Sequence, residues 1–365
     1  MIASENGNGD IVLLLLENNK LEVNKCNNEG ETALYVACDT GCTKVVSLLL
    51  KSETHNVDVN ICSKNDTTAI YAACCRGHTA IVSLILKYKA KEIDFSRSKS
   101  LLYTACARGY TDMVSVLLET GKIEVNEVTF WGETPLFASC EKGFEEIVLT
   151  LITFANTTID VNKSTDSGET PLYIACYKEH LNIVSTLIAC RNIDVNKCTT
   201  IARSQLIECS QGYPNKDAKA YTNKNKVDGN TEAGETPLYR ACYEGNLNIV
   251  STLLSCKNID VNKCTTTGKS PLYIACYHGY TDIVTLLLED SASKPDVNIC
   301  TDNGETPLFV SCSRGHENIV RILLERGADH MICTGEGKSP IFIAKEKKYT
   351  RISEMLVDKR DSTCD

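Results

Sequence analysis

Gly168-Glu169-Thr170-Pro171-Leu172-Tyr173-Ile174-Ala175-Cys176-Tyr177 decides how the chain is read, because variants of this stretch recur along nearly all 365 residues. Anchored on the Thr or Ser before the Pro-Leu pair or its substitute, the copies fall at Thr32, Thr68, Ser100, Thr134, Thr170, Thr236, Ser270, Thr306 and Ser339. The steps between them are 36, 32, 34, 36, 66, 34, 36 and 33. Thr170 is a good N-cap, and Pro171 suits the first helical position, where a missing N–H costs nothing. Leu172, Ala175 and Cys176 follow at i, i+3 and i+4, one face of a helix that must be buried. A short link comes next, with Gly at 41, 77, 109, 143, 245, 279 and 315. Gly there suits the left-handed backbone of a helix end, so Glu179 in this copy implies modest strain. Ile183, Val184, Leu187 and Ile188 then repeat the helical spacing, and Asp194-Val195-Asn196 leads out. The Asp-Val-Asn exit returns at Asp58, Asp160, Asp260 and Asp296. Neither apolar face can be buried within one copy, so stacking between copies must supply the core.

A period in the low thirties, with a turn motif opening two helical patterns, resembles the ankyrin repeat and its T-P-L-H-x-A signature. The resemblance covers nearly the whole chain. It implies an all-α solenoid of helix-turn-helix units joined by turn or hairpin loops. About ten to eleven repeats are expected, counting a partial first and one degenerate copy. One departure is systematic: the signature His is Tyr or Phe throughout (Tyr35, Tyr71, Tyr103, Phe137, Tyr173, Tyr239, Tyr273, Phe309, Phe342). The family's Thr-to-His hydrogen bond cannot form, and an aromatic ring packs between helices instead.

The ends are irregular. Aligning Ala3 with Ala175 places Ile11-Val12 on Ile183-Val184, so the chain enters mid-repeat, as a reduced cap or as a fragment of something longer. The copy at Ser339 carries Lys345-Glu346-Lys347-Lys348 where others are apolar or neutral, which suits a cap facing water. The step of 66 is either one repeat plus an insertion or two repeats, and two are favoured. Ser204-Gln205-Leu206-Ile207-Glu208-Cys209 resembles the copy at Ser100 with one residue deleted, yet Pro214 to Tyr221 has no apolar face. This reading gives an N-terminal block 1–199, a degenerate repeat or insertion 200–231 acting as a soft hinge, and a C-terminal block 232–365. It predicts preferential proteolysis between Tyr213 and Thr231.

Net charge is −9, and no run of Lys or Arg forms a stripe able to neutralise a phosphate backbone, so nucleic acid is not expected. The longest purely apolar run, Ile11 to Leu16, is far short of the roughly 20 residues that span a bilayer. No membrane contact is expected, the first residues lack a signal-peptide pattern, and a cytoplasmic monomer follows. The cysteines, 20 in all, follow the repeat: eight form one helix column (Cys38, Cys74, Cys106, Cys140, Cys176, Cys242, Cys276, Cys312). Stacked helices lie roughly 8–10 Å apart, beyond the roughly 7 Å that a disulfide bridges, so Cys reads as a small buried hydrophobe.

Chemistry is not indicated. Gly268-Lys269-Ser270 and Gly337-Lys338-Ser339 mimic the end of a phosphate-binding loop but lack its upstream Gly. His78, His180, His278 and His316 sit at the link and read as packing residues, and no metal site or cofactor is expected. The expected function is therefore a non-catalytic scaffold or adaptor. Its alternatives are the regulatory part of a larger enzyme or channel, and a spacer array without a partner.

In ankyrin repeats the concave face is formed by the turn tips and the exposed end of the first helix. Carried onto this chain, the resemblance points to Phe130 and Trp131 at one tip and to Tyr177, Lys178, Tyr243 and Tyr277 at helix ends. The position after the turn Gly is mostly acidic, including Glu169 and Glu235. An acidic row beside exposed aromatics favours a basic or mixed-charge protein partner.

Overall fold

The structure, a computed structural model, describes residues 1–95, 100–154, 158–200, 232–289 and 294–361, and these form helices joined by turns. Two compact units divide at Asp160 and Val161. The first, Met1–Asp160, contains α1 (Ile2–Glu5), α2 (Gly9–Leu16), α3 (Ala33–Thr40), α4 (Thr43–Lys51), α5 (Ala69–Arg76), α6 (Thr79–Lys89), α7 (Leu101–Arg108), α8 (Thr111–Glu119), α9 (Pro135–Lys142) and α10 (Glu145–Phe154). The second, Val161–Asp365, contains α11 (Pro171–Tyr177), α12 (Leu181–Ile188), α13 (Pro237–Glu244), α14 (Leu247–Leu254), α15 (Pro271–His278), α16 (Thr281–Glu289), α17 (Pro307–Arg314), α18 (Glu317–Glu325), α19 (Pro340–Glu346) and α20 (Thr350–Asp361). Within each unit the first helices of the pairs pack on one another in one layer and the second helices in another.

From α3 onward each first helix begins as its sequence predicts. Thr170 Oγ1 accepts from the Tyr173 amide at 3.1 Å, and the same cap holds at Thr236, Ser270 and Thr306. Proline occupies the first turn of α9, α11, α13, α15, α17 and α19. Leu172, Ala175, Cys176, Ile183, Val184 and Leu187 are all at most 1% exposed, so both predicted faces are core. The eight column cysteines are fully buried, and each described cysteine is a thiol. Burial pushes the Cys276 and Cys312 thiols up to about 12, which keeps them protonated and inert.

Link glycines serve two purposes. Gly279 has φ +80°, and a Cβ there would lie 2.6 Å from Cε1 of His316, the link residue of the next repeat. Rings of Tyr110, Tyr280 and Tyr349 would meet such a Cβ at 2.7–3.0 Å on Gly77, Gly245 and Gly315. Glu179 takes the same left-handed conformation, φ +59°. Its counterpart in the next repeat is Asn246 rather than a ring, and Asn246 Oδ1 caps α14 by accepting from the Ile249 amide at 3.0 Å.

Two hydrogen-bond ladders tie neighbouring repeats. Asn162 Nδ2 donates to the Asn192 carbonyl at 2.6 Å, while its Oδ1 accepts from the Asp194 amide at 2.8 Å. Asn262 makes the same pair of bonds to Lys294 and Asp296. At the tips, the Asp302 amide donates to the Thr267 carbonyl at 3.1 Å and that of Gly335 to Asn303 at 2.8 Å.

The same ladders connect the Thr170 and Thr236 repeats directly. Asn196 Nδ2 donates to the Asn258 carbonyl at 2.7 Å, its Oδ1 accepts from Asp260 at 2.8 Å, and α11 packs on α13. The turn itself is split. Elsewhere it runs Thr165-Asp166-Ser167-Gly168-Glu169, closed by Gly168 N–H to Thr165 O and Thr165 N–H to Glu169 O. Here Thr199-Thr200 supplies the first part and Ala233-Gly234-Glu235 the rest, with Gly234 donating to Thr199 and Thr199 to Glu235. Thr199-Thr200 and Ala233-Gly234-Glu235 thus meet in one turn, and the described repeats at Thr170 and Thr236 are one stacking step apart. The degenerate copy and hinge expected within 200–231 lie almost wholly outside the described residues, and the repeats flanking them share one unit.

The terminal copies differ as expected. Ile11 and Leu15 are 49% and 45% exposed where Ile183 and Leu187 are 1% and 0%. Lys345, Glu346, Lys347 and Lys348 are all exposed.

Candidate partner-binding site

The acidic row is the main correction. Glu169 and Glu235 are only 3% and 1% exposed, so neither carboxylate is offered to a partner. Their position points inward, where the aromatic that replaces the signature His can reach it. The Tyr103 hydroxyl donates to Glu133 at 2.5 Å and the Tyr273 hydroxyl to Glu305 at 2.5 Å. Tyr173 donates in the same way to Glu235. The aromatic substitution therefore does more than fill space: it replaces a bond within one repeat by a bond to the next. Glu169 instead accepts from the Ser167 hydroxyl at 3.0 Å. With these carboxylates inside, the ground for expecting a basic partner is removed.

The helix-end tyrosines are where a partner could reach them. Tyr177, Tyr243 and Tyr277 occupy equivalent positions at the ends of α11, α13 and α15 and are half-buried. Each carries a cation on its ring. Lys178 Nζ lies 4.6 Å from the Tyr177 centroid, and the Arg314 guanidinium lies 3.8 Å from that of Tyr277. Arg240 lies between two of them, 4.3 Å from Tyr177 and 4.9 Å from Tyr243. Such contacts are worth about 0.5–2 kcal/mol each, more as water is excluded, and they fix the ring planes.

Arg240 was not singled out by sequence reasoning, although it was visible as a lone charge in a column filled elsewhere in its unit by Ile174, Ile274, Val310 and Ile343. It is 2% exposed. Its guanidinium faces Glu235 at 3.9 Å and Glu244 at 3.4 Å, and Nε and Nη1 have no hydrogen-bond partner. Burial holds the Glu235 carboxyl above its usual range, against the opposite pull of Arg240 and of the Tyr173 hydroxyl.

His278 completes the cluster. Its ring meets Tyr243 and Tyr277 edge-on at 4.9 and 5.1 Å and stacks on Tyr280 at 5.4 Å. Burial, then Arg314 and His316, lowers its pKa, so it is neutral at pH 7 and packs as expected. Lys269, in the first phosphate-loop lookalike, pairs with Glu232, and Ser270 caps α15.

The predicted tip lies in the other unit. Phe130 is 68% exposed and meets Trp131 edge-to-face at 5.2 Å. Among the described residues no cluster of His, Cys, Asp or Glu could hold a metal ion, and no helix is long and apolar enough to cross a membrane.

Comparison with known proteins agrees with the repeat geometry. A family model described as ankyrin repeats (3 copies) matches residues 1–61, 53–129, 102–198, 206–299 and 292–365. The fourth match starts at 206, so likeness to a repeat reaches into the stretch between Thr200 and Glu232. Among solved structures, the ankyrin repeat protein EF0377 shares 26% identity over 61% of this chain and 96% of its own, with a TM-score of 0.48. The ankyrin repeat domain of Bcl-3, described as a member of the IkappaB family, shares 21% identity over 70% of this chain and 96% of its own, with a TM-score of 0.54. No curated protein matches. With matches along nearly its whole length and the helix pairs, caps and ladders above, the chain belongs to the ankyrin-repeat family.

Proposed function

We propose that the chain is a non-catalytic, cytoplasmic binding module that engages a partner protein through the helix-end face of its second unit. Ankyrin repeats serve generally as protein–protein interaction modules, and that much belongs to the family. The observation that carries the finer reading is the row Tyr177, Tyr243 and Tyr277. Three half-exposed rings sit at one register of three stacked repeats, each fixed by a cation. Tyrosine offers a large contact area with few rotatable bonds, and a ring already held in place loses little freedom on binding. Phe130 and Trp131 are a second candidate contact in the first unit.

The test is a pull-down with the wild type and a Tyr177→Ala/Tyr243→Ala/Tyr277→Ala variant side by side, with helicity checked by circular dichroism. A saturable partner should be retained by the wild type and weakened about 10-fold or more per essential ring in the variant. Equal retention by a folded variant would remove this face from the site. The absence of any saturable partner would favour a spacer array.

A further inference from the structure

We infer that the segment bound on this face is extended and acidic, an inference that rests on the binding role proposed above. The sign of the face is set by which charges are already matched. Arg240 is buried between Glu235 and Glu244, so the centre of the row is compensated. Lys178 and Arg314 are not: neither forms an ion pair with a described residue, and each is held on a tyrosine ring rather than by a carboxylate.

Arg314 carries the argument furthest. It is exposed, and its guanidinium lies at stacking distance over Tyr277. A guanidinium stacked on a ring keeps its N–H groups in its own plane, and that free edge matches a carboxylate in a bidentate fork. The Tyr277 hydroxyl has no hydrogen-bond partner among the described residues and is a further donor beside it. Lys178, a point charge on Tyr177, marks the other end of the row.

The spacing defines the ligand. The Lys178 ammonium lies on Tyr177 at the end of α11 and the Arg314 guanidinium on Tyr277 at the end of α15, two stacking steps apart along α11, α13 and α15. At roughly 8–10 Å per step this is about 16–20 Å. An extended chain rises about 3.3 Å per residue, so the two cations are spanned by about five to six residues. The fitting segment carries Asp or Glu at both ends of such a stretch, with apolar residues between them to lie on the tyrosines.

The experiment selects random 12-residue peptides displayed on phage against the full chain, then measures the dominant peptide, synthesised with fluorescein, by anisotropy. The expected pool has two acidic positions about five to six residues apart. Its affinity should fall at least about 10-fold in a Lys178→Glu/Arg314→Glu variant, should weaken as salt is raised, and should be unchanged in Arg108→Glu, an exposed site in the other unit. Arg314→Lys should retain part of the binding. A neutral or basic pool, or an acidic one indifferent to the Lys178 and Arg314 reversals, overturns the inference. If such a pool still loses binding in the triple tyrosine variant, the binding role survives and only the partner's charge is wrong. A pool indifferent to the tyrosines, or no enrichment, counts against both.

Discussion

Arg240→Met tests how the tyrosine row is held. The side chain lies in an apolar column, so Met fits the volume, and the change removes one charge from a pair whose members are 2% and 1% exposed. Breaking a buried pair from one side typically costs about 3–5 kcal/mol, because the remaining charge is stranded. Here the approach is 3.9 Å without a direct hydrogen bond, and Glu235 keeps the Tyr173 hydroxyl and the Glu232 amide at 2.9 Å. The expected loss is therefore near the lower end, about 3 kcal/mol at pH 8.

Its pH dependence has a definite sign. The Glu235 carboxyl is already raised in the folded state, and removing Arg240 raises it further. A carboxyl raised on folding binds its proton more tightly in the native state, so stability falls as pH rises above the unfolded value toward the folded one. The deficit of Arg240→Met should accordingly be smaller at pH 5 than at pH 8. Urea unfolding followed by circular dichroism measures both. Adding Glu235→Gln removes the stranded charge and should recover all but about 1 kcal/mol of the loss at pH 8. A variant as stable as the wild type at pH 8, or one with the same deficit at both pH values, would refute this account of Arg240.

Two further changes address the frame. Gly279→Ala combines a left-handed alanine, about 1–2 kcal/mol, with a methyl 2.6 Å from the His316 ring, and should lower the urea midpoint by the equivalent of about 2–4 kcal/mol. Glu179→Gly, at a link that lacks Gly as Lys348 of the last copy also does, should shift it by less than about 1 kcal/mol. Joining Thr200 directly to Ala233 recreates the regular turn, so deletion of 201–232 should leave the helical signal per remaining repeat intact, at a cost of about 1–3 kcal/mol for the lost Glu232–Lys269 pair and the hydrogen bond that Glu235 accepts from the Glu232 amide. Loss of cooperative unfolding on that deletion would show that the deleted stretch is part of the stack.

The frame was legible because burial recurs with the repeat. Leu172, Ala175 and Cys176 return at one spacing, and nine copies leave little freedom in assigning faces. Direction was harder to read where a polar residue sits beside the frame. Glu169 and Glu235 look like surface charge from their place at a turn, and only the reach of the neighbouring repeat's tyrosine shows why Glu235 is inside. Arg240 was hidden for a related reason: one charge in an apolar column gives no sign of partners brought in by other residues. Glu235 is close in sequence, but the Tyr177 ring comes from the preceding repeat across residues 201–232.

Hydrogen exchange of the chain with and without a saturating partner protein tests the central claim most directly. The account predicts that slowed exchange concentrates at the C-terminal ends of α11, α13, α15 and α17, around Tyr177, Tyr243, Tyr277 and Arg314. Protection confined to the Phe130–Trp131 tip, or to the second helices of the pairs, with those four ends unchanged, would contradict it.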